Sequence, residues 1–154
     1  MMQTSGHALF ALAGLGAALV LAGCNTTQKS KRTCEDDVTE LQVGIFEVSS
    51  YLEDLRPRIQ DGYEALDDCN ARTKTCDAVS WLRYAQDLRT THRAARANFE
   101  VATSAFNPDA CVAHIRNFQI NPPRPDTYNG YFYTLEETSE QIDELISEFE
   151  RRAK

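Results

Sequence analysis

The residues with the most distinctive chemistry in this chain are its cysteines, which are Cys24, Cys34, Cys69, Cys76 and Cys111. A thiol can carry a lipid, join a second thiol in a disulfide, or bind zinc as a thiolate. The last four cysteines are spaced symmetrically, since Cys34 and Cys69 are 35 positions apart and Cys76 and Cys111 are also 35 positions apart. No CxxC pair is present, and only two histidines follow Cys24. We therefore favour two disulfides over a zinc site, and we predict no metal or other cofactor.

The elements that carry these cysteines determine how they pair. Apolar residues recur at alternating spacings of four and three from Cys34 to Cys69, and again from Ala78 to Phe106. This pattern is typical of long helices with coiled-coil-like apolar seams. A helix rises ~1.5 Å per residue, so Cys34 and Cys69 would lie ~50 Å apart, whereas a disulfide needs Cα atoms within ~7 Å. In an antiparallel hairpin that turns at residues 70–75, Cys69 meets Cys76 and Cys34 meets Cys111, and we predict those two disulfides.

Capping and breaking signals give the bounds of the two hairpin helices. Thr33 is predicted to be the N-cap of the first helix, and Thr75 that of the second. Pro57 is expected to kink or break the first helix, and Gly62 interrupts its apolar series. The first helix is rich in acids and the second in arginines, which favours packing the two side by side.

The rest of the chain is predicted to add two helices. Asn107 and Pro108 begin a short third helix that extends to about Phe118, with Cys111, Ile115 and Phe118 on one face. The Pro-rich residues 121–126 are predicted to be extended and residues 126–133 to form a loop, so that the last helix begins near Thr134. The fold class is therefore all-α: a disulfide-stapled antiparallel helical hairpin, a short third helix and a C-terminal helix, packed as a small helical bundle.

The segment before Cys24 is apolar. Residues 1–23 contain no charged side chain, and Ala8 to Gly23 consist almost entirely of Ala, Leu, Gly, Val and Phe. This run is shorter than a comfortable transmembrane helix and suits the apolar region of an export signal. The alternative is a buried core helix, which would normally carry a polar face.

The segment ends in Leu21-Ala22-Gly23-Cys24, which resembles the lipobox of bacterial lipoproteins. The resemblance implies that the Cys24 thiol receives a diacylglyceryl group, with fatty acids such as palmitate, and that the signal peptide 1–23 is then removed. Residues 24–33 would form a lipidated tether, and residues 34–154 a helical domain in the periplasm. In that family an Asp after the cysteine favours inner-membrane retention, so Asn25 implies the outer membrane.

Signatures of catalysis are missing from the sequence. It contains no Gly-rich phosphate loop, no GxSxG and no HExxH. His92 falls on the second apolar seam, where a core role is favoured over a catalytic one, and His114 has no evident partner. The net charge is −7, and residues 25–33 hold three cations without an acid, so the remaining body is more acidic than the whole chain. Such a body repels nucleic acid, and we predict neither an enzyme nor a nucleic-acid partner.

An aromatic cluster after the Pro-rich stretch is the main candidate for binding a protein partner. Its candidate partner-binding residues are Tyr128, Phe132 and Tyr133, and Tyr131 is assigned instead to the seam of the last helix. The alternative is that these rings form a lid packed over the hairpin. With the lipid anchor, the cluster suggests a lipid-anchored cell-envelope binding or assembly module that has an envelope protein as its partner.

A second possibility is a structural spacer that links the outer membrane to peptidoglycan. A lipid anchor, a heptad body and a basic tail ending in Lys154 are similar to the murein lipoprotein, whose last Lys is joined to peptidoglycan. The resemblance covers only the anchor and the last few residues. Basic side chains that interact with the dipole of the last helix explain the tail equally well.

Overall fold

The computed structural model describes residues 28–71 and 76–154. The apolar segment, the lipobox with Cys24, and Thr75 lie outside the described residues. The described chain forms four helices, which are α1 (Lys31–Ala71), α2 (Ala78–Ala105), α3 (Val112–Arg116) and α4 (Pro125–Arg152). No strand occurs among the described residues. The predicted all-α bundle is confirmed, with α1 and α2 as the antiparallel hairpin.

The two disulfides lie at opposite ends of the bundle. Cys34 and Cys111 are joined with 5.9 Å between their Cα atoms, and both are fully buried. Cys69 and Cys76 are joined with 4.9 Å between their Cα atoms. This is the predicted pairing. The end that holds Cys34–Cys111 and α3 is called the α3 end below, and the end that holds Cys69–Cys76 is called the hairpin end.

Helix α4 runs parallel to α1 and antiparallel to α2. Near its middle, the carbonyl oxygen of Leu135 lies 2.9 Å from His92 Nε2 of α2. Near its end, the ring of Phe149 stacks on that of Trp81, with 6.2 Å between centroids. Each of the three long helices, α1, α2 and α4, contributes a buried apolar stripe to this core, because its apolar residues recur with the helical period. The three predicted seams therefore meet along one axis.

Two glycines allow the helices to approach each other closely. A Cβ placed on Gly44 would lie 2.4 Å from Ala102 Cβ, so α1 and α2 could not pack at this distance around a larger residue. A Cβ on Gly62 would lie 2.8 Å from Leu145 Cδ1 of α4. Gly62 interrupts the apolar series because it sits where α4 packs, and it remains buried there.

Helix α1 differs from its prediction in two places. It begins at Lys31 because Ser30 Oγ accepts the Thr33 backbone N–H at 3.2 Å, so Ser30 is the residue that caps it and the prediction of Thr33 was wrong. The helix also continues through Pro57 without a break. Pro57 is exposed, and the buried side chains of Leu55 and Ile59 hold the chain on either side of it.

The second and third helices also depart from their predictions. Asp77 caps α2 by accepting the Ser80 backbone N–H at 3.1 Å, two residues after the predicted cap. Asn107 Oδ1 accepts the backbone N–H groups of Asp109 and Ala110, as a cap does. The helix itself, however, starts only at Val112 and is one turn long.

Ion pairs between helices join α2 to α4. Arg96 Nη1 lies 2.7 Å from Glu136 Oε2, and Arg89 Nη1 lies 3.8 Å from Asp143 Oδ1. These two arginines of α2 thus pair with acids of α4, whereas the sequence suggested the acid-rich α1 as their partner. All four side chains are substantially exposed, so these pairs orient the helices more than they stabilise them.

Candidate binding surfaces

The aromatic segment proposed as a binding loop is helical. Helix α4 begins at Pro125 and therefore contains Tyr128, Phe132 and Tyr133. The prediction of a loop over residues 126–133 was wrong because the last proline of the run occupies the first helical position. A proline at that position lacks only an N–H that the helix would leave unpaired, and Asp126 follows in the first turn.

The helix distributes the aromatic side chains between the core and the surface. The half-buried ring of Phe132 packs against the buried Phe99, with 4.8 Å between centroids. Tyr131 meets the same ring edge-on at 6.0 Å, and Tyr128 packs against the clusters around Leu41 and Phe99. Tyr133 is 79% exposed. Tyr128 and Phe132 thus pack against the core. Partner binding by this segment remains a prediction, and of the three candidate residues only Tyr133 has an exposed ring.

His92 is a core residue, with 2% of its surface exposed. Its Nε2 lies 2.9 Å from the Leu135 carbonyl oxygen, and its Nδ1 lies 3.2 Å from the Tyr51 hydroxyl. Burial lowers the pKa of His92 below its ordinary value. The imidazole is therefore neutral near pH 7 and connects all three long helices through its two nitrogens, as expected for a seam position.

His114 attaches the first described residues to the α3 end. Its Nε2 lies 3.2 Å from the Lys29 carbonyl oxygen, and its Nδ1 lies 2.8 Å from Gln119 Oε1. The Lys29 backbone N–H donates to the Ala110 carbonyl oxygen at 3.0 Å, and Lys29 Nζ pairs with Asp37 at 2.6 Å. The ordered fold thus includes Lys29, which the sequence placed in the tether. No local pattern indicates this contact, because His114 lies 85 residues from Lys29 in the sequence.

A groove of about 300 Å³ lies between α1 and α4 and was not predicted. Leu52 and Ile59 supply its apolar lining, and the side-chain amides of Gln60 and Gln141 lie on its α1 and α4 sides. Amide groups donate and accept hydrogen bonds, and peptide backbones need both. The residues that line the groove come from two helices that are far apart in the sequence, so no local motif indicates the groove.

Charged groups on both helices line the same groove. Arg56 lies on α1 and Glu137 on α4, and no salt bridge within residues 28–71 and 76–154 involves either side chain. Tyr63 donates its hydroxyl to Glu144 at 2.8 Å, and burial together with this hydrogen bond raises the pKa of Tyr63 to about 12. The groove therefore offers one cation, one anion and neutral hydrogen-bonding groups beside an apolar strip.

Phe118 departs furthest from its predicted place. It was expected to pack with Cys111 and Ile115, but its side chain is 95% exposed, and its φ of 54° is in the left-handed region. Its backbone N–H donates to Ile115 at 3.0 Å, and that of Gln119 donates to His114 at 2.9 Å. These two bonds form the Schellman motif that ends α3, and the position held by Phe118 usually carries glycine.

Among the described residues, no group of three or more His, Cys, Asp or Glu side chains is placed to hold a metal ion. The same part of the chain contains no helix with the length and apolar character needed to cross a membrane. Comparisons with protein-family models, with curated proteins and with solved structures found no match to this chain.

Proposed function

We propose that this chain is a lipid-anchored module of the bacterial cell envelope that binds or assembles with another envelope protein, without catalysis. The lipid is attached to Cys24, the signal peptide 1–23 is removed, and the bundle lies in the periplasm at the outer membrane. No cofactor beyond the covalent lipid is involved.

The pairing of the cysteines is the observation that supports the lipid anchor. Four of the five are joined to one another in two disulfides, which leaves Cys24 without a disulfide partner inside the chain. The unpaired cysteine is the one that ends the lipobox-like sequence. Two disulfides are also typical of oxidising compartments such as the periplasm, which export would reach.

The groove between α1 and α4 supports the binding role. A partner segment with one apolar side chain could cover Leu52 and Ile59 and pair its backbone with the amides beside them. Arg56 and Glu137 would then select a segment that carries both charges. This surface is composed of helix faces, which hold its groups in fixed positions before binding.

Site-specific photo-cross-linking from Gln60 in cells tests the binding role, with the full lipidated chain as the reference. We expect one cross-linked envelope protein that is lost or weakened about tenfold by Arg56→Glu, since a charge reversal at an interface costs on the order of 1.4 kcal/mol or more. Arg93→Glu is the matched control, because Arg93 is also exposed but lies on α2 outside the groove. Equal cross-linking in both variants would remove the groove from the proposal.

A spacer between outer membrane and peptidoglycan is the second candidate. The side of the bundle that faces the tether, marked by Lys29, lies at the α3 end. The C-terminal end of α4 lies at the hairpin end, where Arg152 donates to Asn70 at 2.6 Å. The 41 residues of α1 separate these ends by about 60 Å. Co-sedimentation of the lipidated chain with murein sacculi in detergent supports the spacer, and its absence alongside a specific cross-link supports the binding module.

A further inference from the structure

We infer that the α3 end is a membrane-contacting surface on which Phe118 inserts its ring into the lipid interface. The inference rests on the proposed lipid anchor at Cys24 and adds a second, non-covalent contact between the folded bundle and the same bilayer.

The anchor residue Cys24 lies a short distance along the chain from the α3 end of the bundle. Lys29 is fixed to Ala110 and His114, and it lies only five positions after Cys24. Five residues span at most about 17 Å when fully extended. A lipid on Cys24 therefore keeps the α3 end close to the bilayer surface, whichever path the connecting residues take.

Phe118 lies at the same end of the bundle. Its neighbour Gln119 lies 2.8 Å from His114, which in turn lies 3.2 Å from Lys29. The Schellman bonds fix the backbone, so the ring projects from a rigid turn with 95% of the residue exposed. Val112, the first residue of α3, is also exposed.

Phe118 adopts a backbone conformation that is unusual for its residue type. A left-handed backbone is unfavourable for a residue with a Cβ, and glycine or asparagine would be accommodated there with less strain. Packing of the ring against the described residues does not compensate for this, because Phe118 is almost wholly exposed. A strained backbone that presents an exposed ring is explained by a contact of that ring outside the chain.

The charges at the α3 end distinguish between attraction to anionic lipid and insertion of apolar side chains into the bilayer interface. Three exposed cations and three exposed acids lie on the first turns of α1 and around α3, namely Lys31, Arg32, Arg116, Glu35, Asp36 and Asp109. Their charges cancel, so this end has no net attraction for anionic lipid. The occupant is therefore the interfacial region of the bilayer itself, where aromatic and apolar side chains are favoured.

Fluorescence quenching in vesicles tests this contact in the full lipidated chain. Trp81 is the only tryptophan, so Trp81→Phe gives a silent background into which Phe118→Trp or Phe46→Trp is introduced. Phe46 is the matched control because it is 73% exposed but lies on α1, about 22 Å along the helix from Lys31. The vesicles contain phosphatidylcholine, with or without bromine on the acyl chains, and circular dichroism checks that each variant remains helical.

We expect the emission of the Phe118→Trp variant to shift to the blue and to fall at least twofold in brominated vesicles, while that of the Phe46→Trp variant stays unchanged. If the chain floats with the vesicles but the Phe118→Trp emission is the same in both lipids, the membrane contact is refuted and the anchor stands. If the chain does not float with the vesicles, the anchor fails, and this inference fails with it.

Discussion

The ring of Phe132 on α4 packs against the ring of Phe99 on α2, with 4.8 Å between their centroids. Both belong to the cluster at the middle of the bundle. Replacing Phe132 with alanine should therefore lower the free energy of unfolding by about 2 kcal/mol, less than a fully buried Phe because its ring is half-buried. Urea denaturation followed by circular dichroism measures the loss.

Tyr133→Ala is the matched control on the next residue of the same helix. Its ring is exposed, so the substitution should change the free energy of unfolding by less than about 0.5 kcal/mol. Equal stability of the two variants would show that Phe132 is not part of the core and would return it to the candidate binding surface.

These side chains show where sequence patterns succeed and where they stop. Seams such as the one through Leu135, Ile142 and Phe149 could be predicted because burial follows the helical period. The start of α4 could not be predicted in this way, because a run of prolines usually indicates extended chain. Here the last proline of the run, Pro125, occupies the first position of the helix. The side chain of Phe132 then falls inward because the helix begins at Pro125.

Contacts between distant segments explain the remaining differences. The disulfide pairing could be predicted from hairpin geometry alone, since the length of the first helix excludes a Cys34–Cys69 disulfide and the antiparallel hairpin brings the observed pairs together. The docking of Lys29 on His114 and the groove between α1 and α4 depend on which helix faces meet, and periodicity does not specify that. The predicted position of Phe118 was wrong because its backbone adopts the left-handed turn that glycine usually occupies, and a phenylalanine gives no signal for such a turn.

The buried His92 should make stability depend on pH. Its pKa is lowered in the fold by burial, so below its ordinary value of about 6.5 the unfolded chain binds a proton that the folded chain does not. Stability is therefore complete above pH 6.5 and falls as the pH decreases, by at most about 1.4 kcal/mol per pH unit. Urea denaturation at pH 7.5 and 5.5 should show the decrease, and His92→Gln should reduce it. An unchanged decrease in that variant would assign it to other groups.

The two disulfides should contribute unequally. Cys34–Cys111 closes a loop of 77 residues and Cys69–Cys76 one of 7. In the chain-entropy model the losses are about 4 and about 2 kcal/mol, respectively. We expect the double variant Cys34→Ala and Cys111→Ala to unfold at a lower urea concentration than Cys69→Ala and Cys76→Ala. The reverse order would mean that residual structure in the unfolded chain outweighs loop length.

Phe118→Gly should stabilise the bundle, although it removes a large side chain. Glycine adopts the left-handed backbone without strain, and the exposed ring contributes little packing to the fold. We expect a gain of about 1 kcal/mol in the free energy of unfolding, measured in urea without lipid. A loss of stability instead would show that the ring packs on the folded chain, and would remove the main reason to assign it to the membrane.

We propose that Cys24 carries the lipid that tethers the bundle. Mass spectrometry of the tryptic peptide from Cys24 to Lys29, taken from the membrane fraction, tests it most directly. If Cys24 is lipidated, the peptide begins at Cys24 and carries the added mass of a diacylglyceryl group with its fatty acids, and a Cys24→Ser chain yields no such peptide. An unmodified Cys24, or a peptide continuous with residues before it in the mature protein, would show that the bundle is not tethered by a lipid at Cys24.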